Sequence, residues 1–169
     1  RRGEIVTELG RLYDLTGRLR RECPWDCRQT QESIIAYTLE ETYELADTIR
    51  RRAELGDAAV CGELGDLLFQ VYFLACVAEE QGLYDLADVA AGIRTKLIRR
   101  HPHIFGEATA ETPEDVRDRW NAIKREQEGR EGIFHDIPKA FPSTLLAQKL
   151  QQRAAAVGFD WDEAAEVLA

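Results

Sequence analysis

Apolar residues recur every three or four positions along almost the whole chain, and no run alternates between apolar and polar long enough to make a strand. Stripes with that period are covered only when helix packs on helix, so the expected fold is an all-α bundle. Ile5, Leu9, Leu12 and Leu19 mark a first helix over residues 3–22. Cys23-Pro24-Trp25-Asp26 breaks it, because proline lacks an amide donor and restricts the residue before it. A second helix is expected over 30–55 with Gly56 as its C-terminal cap, and a third from an Asp57 N-cap to just before Gly82. Asp85 caps a fourth helix that stops at His101-Pro102. Thr112-Pro113-Glu114-Asp115 opens a fifth, which fades over 128–132. After a linker, residues 143–157 read as one more helix closed by Gly158, and another helix begins after Phe159.

Composition narrows the partners. A net charge of −9 argues against a general nucleic-acid surface, which needs spread basic charge. It leaves room for a small anion if a metal or a local basic cluster neutralises it. No run of 18 or more uninterrupted apolar residues is present, so no membrane span is expected, and the basic N-terminus lacks the apolar core of a signal peptide. The absence of Met, even at position 1, leads to the expectation that the chain is a piece of a longer one. The four cysteines, Cys23, Cys27, Cys61 and Cys76, are expected to be buried free thiols in a reducing cytoplasm.

The second helix carries Glu40-Glu41-Thr42-Tyr43-Glu44. Residues three or four apart share a helix face, so Glu44 neighbours both Glu40 and Glu41, at a cost of a few tenths of a kcal/mol per like-charged pair. Within this helix Lys and Arg appear only from Arg50 onward. Stepping by threes and fours from Ile34 passes through Thr38, Glu41, Leu45 and Thr48, which puts Glu41 on or beside the apolar stripe. An ionised carboxylate there needs a partner. The third helix repeats the theme with Glu63 and Asp66, one turn apart among Val60, Leu64, Leu67, Leu68 and Val71. It also has Gly62 and Gly65 in its interior, where glycine often marks a close approach of backbone or ligand. Two carboxylate pairs aimed at a common interior suit a hard cation such as Mg²⁺ or Mn²⁺. A plain solvated acidic face is the competing explanation.

Lys96, Arg99 and Arg100 close the fourth helix beside His101 and His103. Bases at a helix C-terminus complement its dipole. Opposite a carboxylate-held metal the same cluster would suit a triphosphate. Two histidines flanking a proline, with no further ligand at zinc spacing, do not make a zinc site. A di-iron carboxylate bundle would need Glu-x-x-His, which is missing. Trp25 and Trp120 read by default as core.

Cys-Pro-Trp-Asp at 23–26, Gln29-Thr30, the run from Tyr37 to Glu44, Gly62-Glu63-Leu64-Gly65-Asp66-Leu67-Leu68-Phe69-Gln70, and Arg99-Arg100-His101-Pro102-His103-Ile104-Phe105 together resemble the MazG nucleoside triphosphate pyrophosphohydrolases. The resemblance covers residues 5–130 and implies a dimeric all-α enzyme that uses Mg²⁺ to hydrolyse NTPs or dNTPs to the monophosphate and pyrophosphate. It implies Glu41, Glu44, Glu63 and Asp66 as metal ligands, and Glu40 as the residue assisting a second metal or the attacking water. Lys96, Arg99, Arg100 and Lys124 are its candidate phosphate contacts, with Trp25 and Trp120 walling in the nucleotide. Residues 1–130 would be one such domain and 131–142 a linker. Residues 143–169 would then start a second domain, since Asp136-Ile137-Pro138, Gln148-Lys149 and Gly158-Phe159-Asp160-Trp161 repeat its opening pattern. The different-class alternative is a module that binds nucleotide and metal for regulation without turnover.

Overall fold

A computed structural model describes residues 1–127, 132–135 and 137–160, apart from the side chains of residues 117, 118, 121 and 124–127. Among the described residues every regular element is helical. They are α1 (Arg2–Glu22), α2 (Gln31–Arg50), α3 (Arg52–Leu55), α4 (Asp57–Glu80), α5 (Leu86–Arg100), α6 (Pro102–Phe105), α7 (Pro113–Gln127) and α8 (Ser143–Ala155), with a 3-10 turn at Asp26–Arg28. The expected N-cap signals at Asp85 and Thr112 act as read. Asp85 Oδ1 accepts the Asp88 amide at 2.8 Å, and Thr112 Oγ1 accepts that of Asp115 at 3.1 Å. Thr30 caps α2 through a reciprocal exchange with Ser33.

Two boundaries depart from expectation. The helix expected over 30–55 stops at Arg50, and a short helix, Arg52–Leu55, follows. Arg51 turns the chain there with φ −96° and ψ 13°, held by ion pairs to Asp47 at 3.3 Å and Glu54 at 2.9 Å. Asp57 is not a cap. Gly56 occupies the cap position at φ +83°, a left-handed conformation that disfavours any side chain, while Asp57 starts α4 and pairs with Arg52 at 2.6 Å. The tail opens as expected, with α8 closed by Gly158 at φ +85°. Residues 128–131, Asp136 and the helix expected after Phe159, from residue 161, lie outside the described residues.

The chain divides into two compact units, Arg1–Thr95 and Lys96–Ala169. In the first, α4 packs mainly along α2 and also against α1. Ile34, Phe73 and Val77 form the core, with Phe69 and Leu74 packed against it. The α1–α2 loop is tied to this core by Arg20, whose guanidinium is buried. It pairs with Glu80 at 2.6 Å, donates to the carbonyls of Asp26 and Gln29, and lies 5.3 Å above the Phe73 ring. An 18-residue window of α4 has mean hydropathy 1.5, enough by length and composition alone to cross a membrane, a test that the core helix of a helical bundle also passes. The first half of α4, with Asp57, Glu63 and Asp66, has no buried residue, while the stretch from Gln70 to Ala78, before the exposed Glu79 and Glu80, is the centre of the bundle core.

In the second unit Trp120 is half-buried. It packs edge-on to His101 at 5.0 Å, with the Arg100 guanidinium 5.1 Å from its ring centre. Arg153 of α8 donates to the Ile133 carbonyl at 3.2 Å and reaches the His135 ring at 3.0 Å.

Candidate active site

The interior face of α2 is the one its sequence spacing marks. Ile34 and Thr48 are buried, and Thr38, Glu41 and Leu45 are half-buried between them. α4 runs against this face, so its Glu63 comes opposite Glu41. One carboxylate oxygen from each of Glu41, Glu44 and Glu63 lies within 4.8 Å of the others. The two helices therefore bring together three of the four expected ligands. Asp66 lies outside that trio and is exposed, yet its charge acts on Glu41. Glu40 is exposed on α2.

The electrostatics of this cluster are self-repelling. Burial, then the carboxylates of Asp66, Glu44, Glu63 and Glu40, pushes the Glu41 carboxyl above its ordinary range. Among the described residues no cation is ion-paired with Glu41, Glu44, Glu63 or Asp66. One helical turn further into the bundle the polar lining becomes neutral. Gln70 is buried, and its Oε1 accepts the Thr38 hydroxyl at 3.3 Å. Sequence reasoning passed over Gln70, although a polar residue one turn beyond Asp66 in an otherwise apolar run was the available signal.

Three readings change. Trp25 is not core: it is 49% exposed and meets Tyr37, itself 42% exposed, edge to face at 5.6 Å. Gly62 and Gly65 are not sites of close backbone approach, since a side chain added at either would meet no atom of this chain within 4 Å. Cys27 and Cys61 are exposed rather than buried, although all four thiols are free. Along α4, Leu74 packs on the core and Leu67 is half-buried, while Leu64, Leu68 and Val71 are exposed. Lys96 and Arg99 are exposed and Arg100 is half-buried, all in the second unit. The Lys124 side chain lies outside the described residues.

The sequence carries the same signal as the geometry. Residues 29–105 match the family described as "MazG nucleotide pyrophosphohydrolase domain". The chain carries a MazG domain. It is 46% identical to the nucleoside triphosphate pyrophosphohydrolase of Escherichia coli (strain K12), over 92% of this chain and 60% of that protein. The "Nucleoside triphosphate pyrophosphohydrolase/pyrophosphatase MazG" of Thermotoga maritima is 38% identical, over 95% of this chain and 59% of that protein. A crystal structure of a mazG-related protein from Thermotoga maritima superposes with a TM-score of 0.58 at 25% identity, covering 69% of this chain and 99% of that one. The chain thus spans about 60% of the length of these two curated relatives. The matched segment contains Glu40, Glu41, Glu44, Glu63, Asp66 and the basic end of α5.

Proposed function

We propose that this chain hydrolyses ribo- and deoxyribonucleoside triphosphates to the monophosphate and pyrophosphate at the α2–α4 carboxylate cluster, with Mg²⁺ as cofactor and Mn²⁺ able to replace it. The observation that carries the reading is the trio of carboxylates from two helices with oxygens within 4.8 Å. The residues fit the ion. All are hard oxygen donors, and ligands of one Mg²⁺ at 2.0–2.1 Å lie no more than about 4.2 Å apart, a small closure from this geometry. The raised Glu41 carboxyl has the same sense, since a cation would relieve what its neighbours impose.

In this reading Glu41, Glu44, Glu63 and Asp66 hold the metal. The bound ion supplies charge neutralisation, polarised phosphoryl oxygens and an activated water. Glu40, on the same helix, orients the water attacking the α-phosphorus and takes its proton. Lys96, Arg99, Arg100 and Lys124 are assigned to the phosphates by charge, and Trp25 and Trp120 to the nucleotide, on the strength of the family resemblance. Pyrophosphate then leaves as one unit.

Assembly as a homodimer belongs to the same proposal. Leu64, Leu68 and Val71 on α4, with Ile35 and Leu39 on α2, leave apolar surface exposed, and a two-fold contact is the commonest cover for such faces. The partners are a nucleotide and a second copy, with neither nucleic acid nor membrane, in the cytoplasm. Housekeeping of nucleotide pools is the role that follows. The regulatory alternative, binding without turnover, draws on the chain's spanning about 60% of its relatives. Incubation of the chain with a nucleotide mix and Mg²⁺ in ¹⁸O-labelled water separates these readings. Pyrophosphate with label in the monophosphate is the expected result. Diphosphate with labelled inorganic phosphate, or no turnover, would refute the assignment.

A further inference from the structure

Gln70 is 8% exposed in an otherwise apolar stretch of α4, and it receives one long hydrogen bond, from the Thr38 hydroxyl to its Oε1 at 3.3 Å. The same hydroxyl donates to the Ile34 carbonyl at 3.1 Å, so a single hydrogen is shared between two acceptors. Among the described residues the Gln70 carboxamide nitrogen has no partner, and it is not one of the fully enclosed polar atoms. A buried amide that uses so little of its bonding capacity calls for a reason beyond packing.

The register of the two helices shows where that nitrogen can reach. Gln31 meets Leu74, Thr38 meets Gln70 and Glu41 meets Glu63, so α2 and α4 run antiparallel and the Thr38–Gln70 rung is next to the carboxylates. On one side of it Ile34 and Phe73, 3% and 1% exposed, close the core. On the other side are Glu41, three residues after Thr38, and Asp66, four residues before Gln70. These steps are about 4.5 Å and about 6 Å along the helix axes. Glu41 is the half-buried one of the two, and among the described residues no hydrogen bond or ion pair reaches its carboxylate. A carboxylate that binds a metal is itself normally fixed by a hydrogen bond from a neighbour.

We propose that Gln70 is a positioning residue of the metal site: Thr38 holds its Oε1, and its nitrogen donates to the Glu41 carboxylate, leaving the other Glu41 oxygen for the cation. The inference rests on the pyrophosphohydrolase reading. A neutral donor suits this place, because it steadies the ligand without neutralising the charge that attracts the metal.

The test is Mn²⁺ binding to the full chain without nucleotide, followed by the paramagnetic resonance signal of the free ion. Gln70→Met keeps the length of the side chain and removes both polar atoms. Loss of such a partner weakens metal binding about 10–100-fold, and that is the fall expected in Mn²⁺ affinity. In chelator the variant should melt no lower than the wild type, since a weakly bonded buried amide gives way to an apolar side chain of similar shape. Thr38→Val should weaken Mn²⁺ binding in the same direction, and the double variant should bind no more weakly than Gln70→Met, because both changes act through one amide. In a Glu41→Gln background Gln70→Met should have no further effect. If Gln70→Met binds Mn²⁺ as the wild type does and only its melting temperature falls, Gln70 serves helix packing and the inference is wrong. An undiminished loss of affinity in the Glu41→Gln background also overturns it, since the amide then acts on another group. Pyrophosphate release tests the underlying reading separately. A wild type that binds Mn²⁺ but releases no pyrophosphate refutes that reading, and the Mn²⁺ affinities still decide the role of Gln70. A wild type that binds no Mn²⁺ overturns both.

Discussion

Replacing Glu41 with Gln removes one negative charge from the cluster while keeping its shape, and the sign of the stability change is fixed by the structure. Burial and four neighbouring carboxylates hold the Glu41 carboxyl above its unfolded value of 4.5. A carboxyl raised in the folded state stabilises the fold below the unfolded value, and that contribution is lost as pH rises through the raised one. At neutral pH the ionised group therefore opposes folding. Two partner oxygens within 4.8 Å each cost about 1 kcal/mol at a water-like dielectric, the appropriate limit because Glu44 is exposed. Glu41→Gln is thus expected to stabilise the metal-free protein by about 1–2 kcal/mol, or roughly 3–6 °C in Tm for a chain of this size. Scanning fluorimetry in chelator at pH 7.5 and pH 4 reads the effect, which should vanish at the lower pH. Added Mg²⁺ should raise the wild-type Tm and leave the variant where it was. A variant that melts below the wild type by the same margin at both pH values would refute the reasoning and make Glu41 a structural residue.

Arg20→Met cuts the tie between the α1–α2 loop and Glu80. Glu80 is held below its ordinary range by its bond to Arg20, so this pair stabilises the fold above about pH 4.5 and its contribution is lost as pH falls through the lowered value. Urea titrations should show the variant weaker at pH 7, with the gap to wild type closing towards pH 3. Phe73→Ala, at a side chain 1% exposed and packed on Ile34, Val77 and Phe69, should cost about 3–5 kcal/mol in the same titrations. Gly56→Ala, at φ +83° with open space around it, should cost about 1–2 kcal/mol from backbone strain alone. Stripping divalent ions with a chelator should abolish pyrophosphate release, and Mg²⁺ or Mn²⁺ should restore it far better than Ca²⁺.

Local rules were enough to read what local interactions decide. The stripe from Ile34 to Thr48, the breaks at Cys23 and Gly56, and the caps at Asp85 and Thr112 depend on residues within one or two turns of each other. So does the convergence of Glu41 and Glu44, while that of Glu63 needed only the expectation that neighbouring helices pack. What the sequence hid is non-local or finely balanced. Arg20 and Glu80 are 60 residues apart, and nothing near either announces the other. The stop at Arg50 rather than Leu55 turns on one backbone angle pair inside a run of arginines. Leu74 and Val71 look alike in the pattern, yet one packs on the core and the other is open, because the orientation of α4 against α2 sets which edge of its apolar surface is covered.

α4 is one unbroken helix with two very different environments. Its buried residues all lie from Gln70 to Ala78, and none falls between 57 and 69. The half carrying Glu63 and Asp66 is only partly covered, with Glu63 and Leu67 half-buried, while the other half holds all the buried residues of the helix. Amide hydrogens on the first half should therefore exchange through local opening, and those on the second only when the whole bundle unfolds. The ligand-bearing arm is compliant, and the anchor it grows from is stiff. Any cation that draws the carboxylates inward also lends order to that arm, so occupancy of the site is legible as slowed exchange over 59–67 with the core amides unchanged.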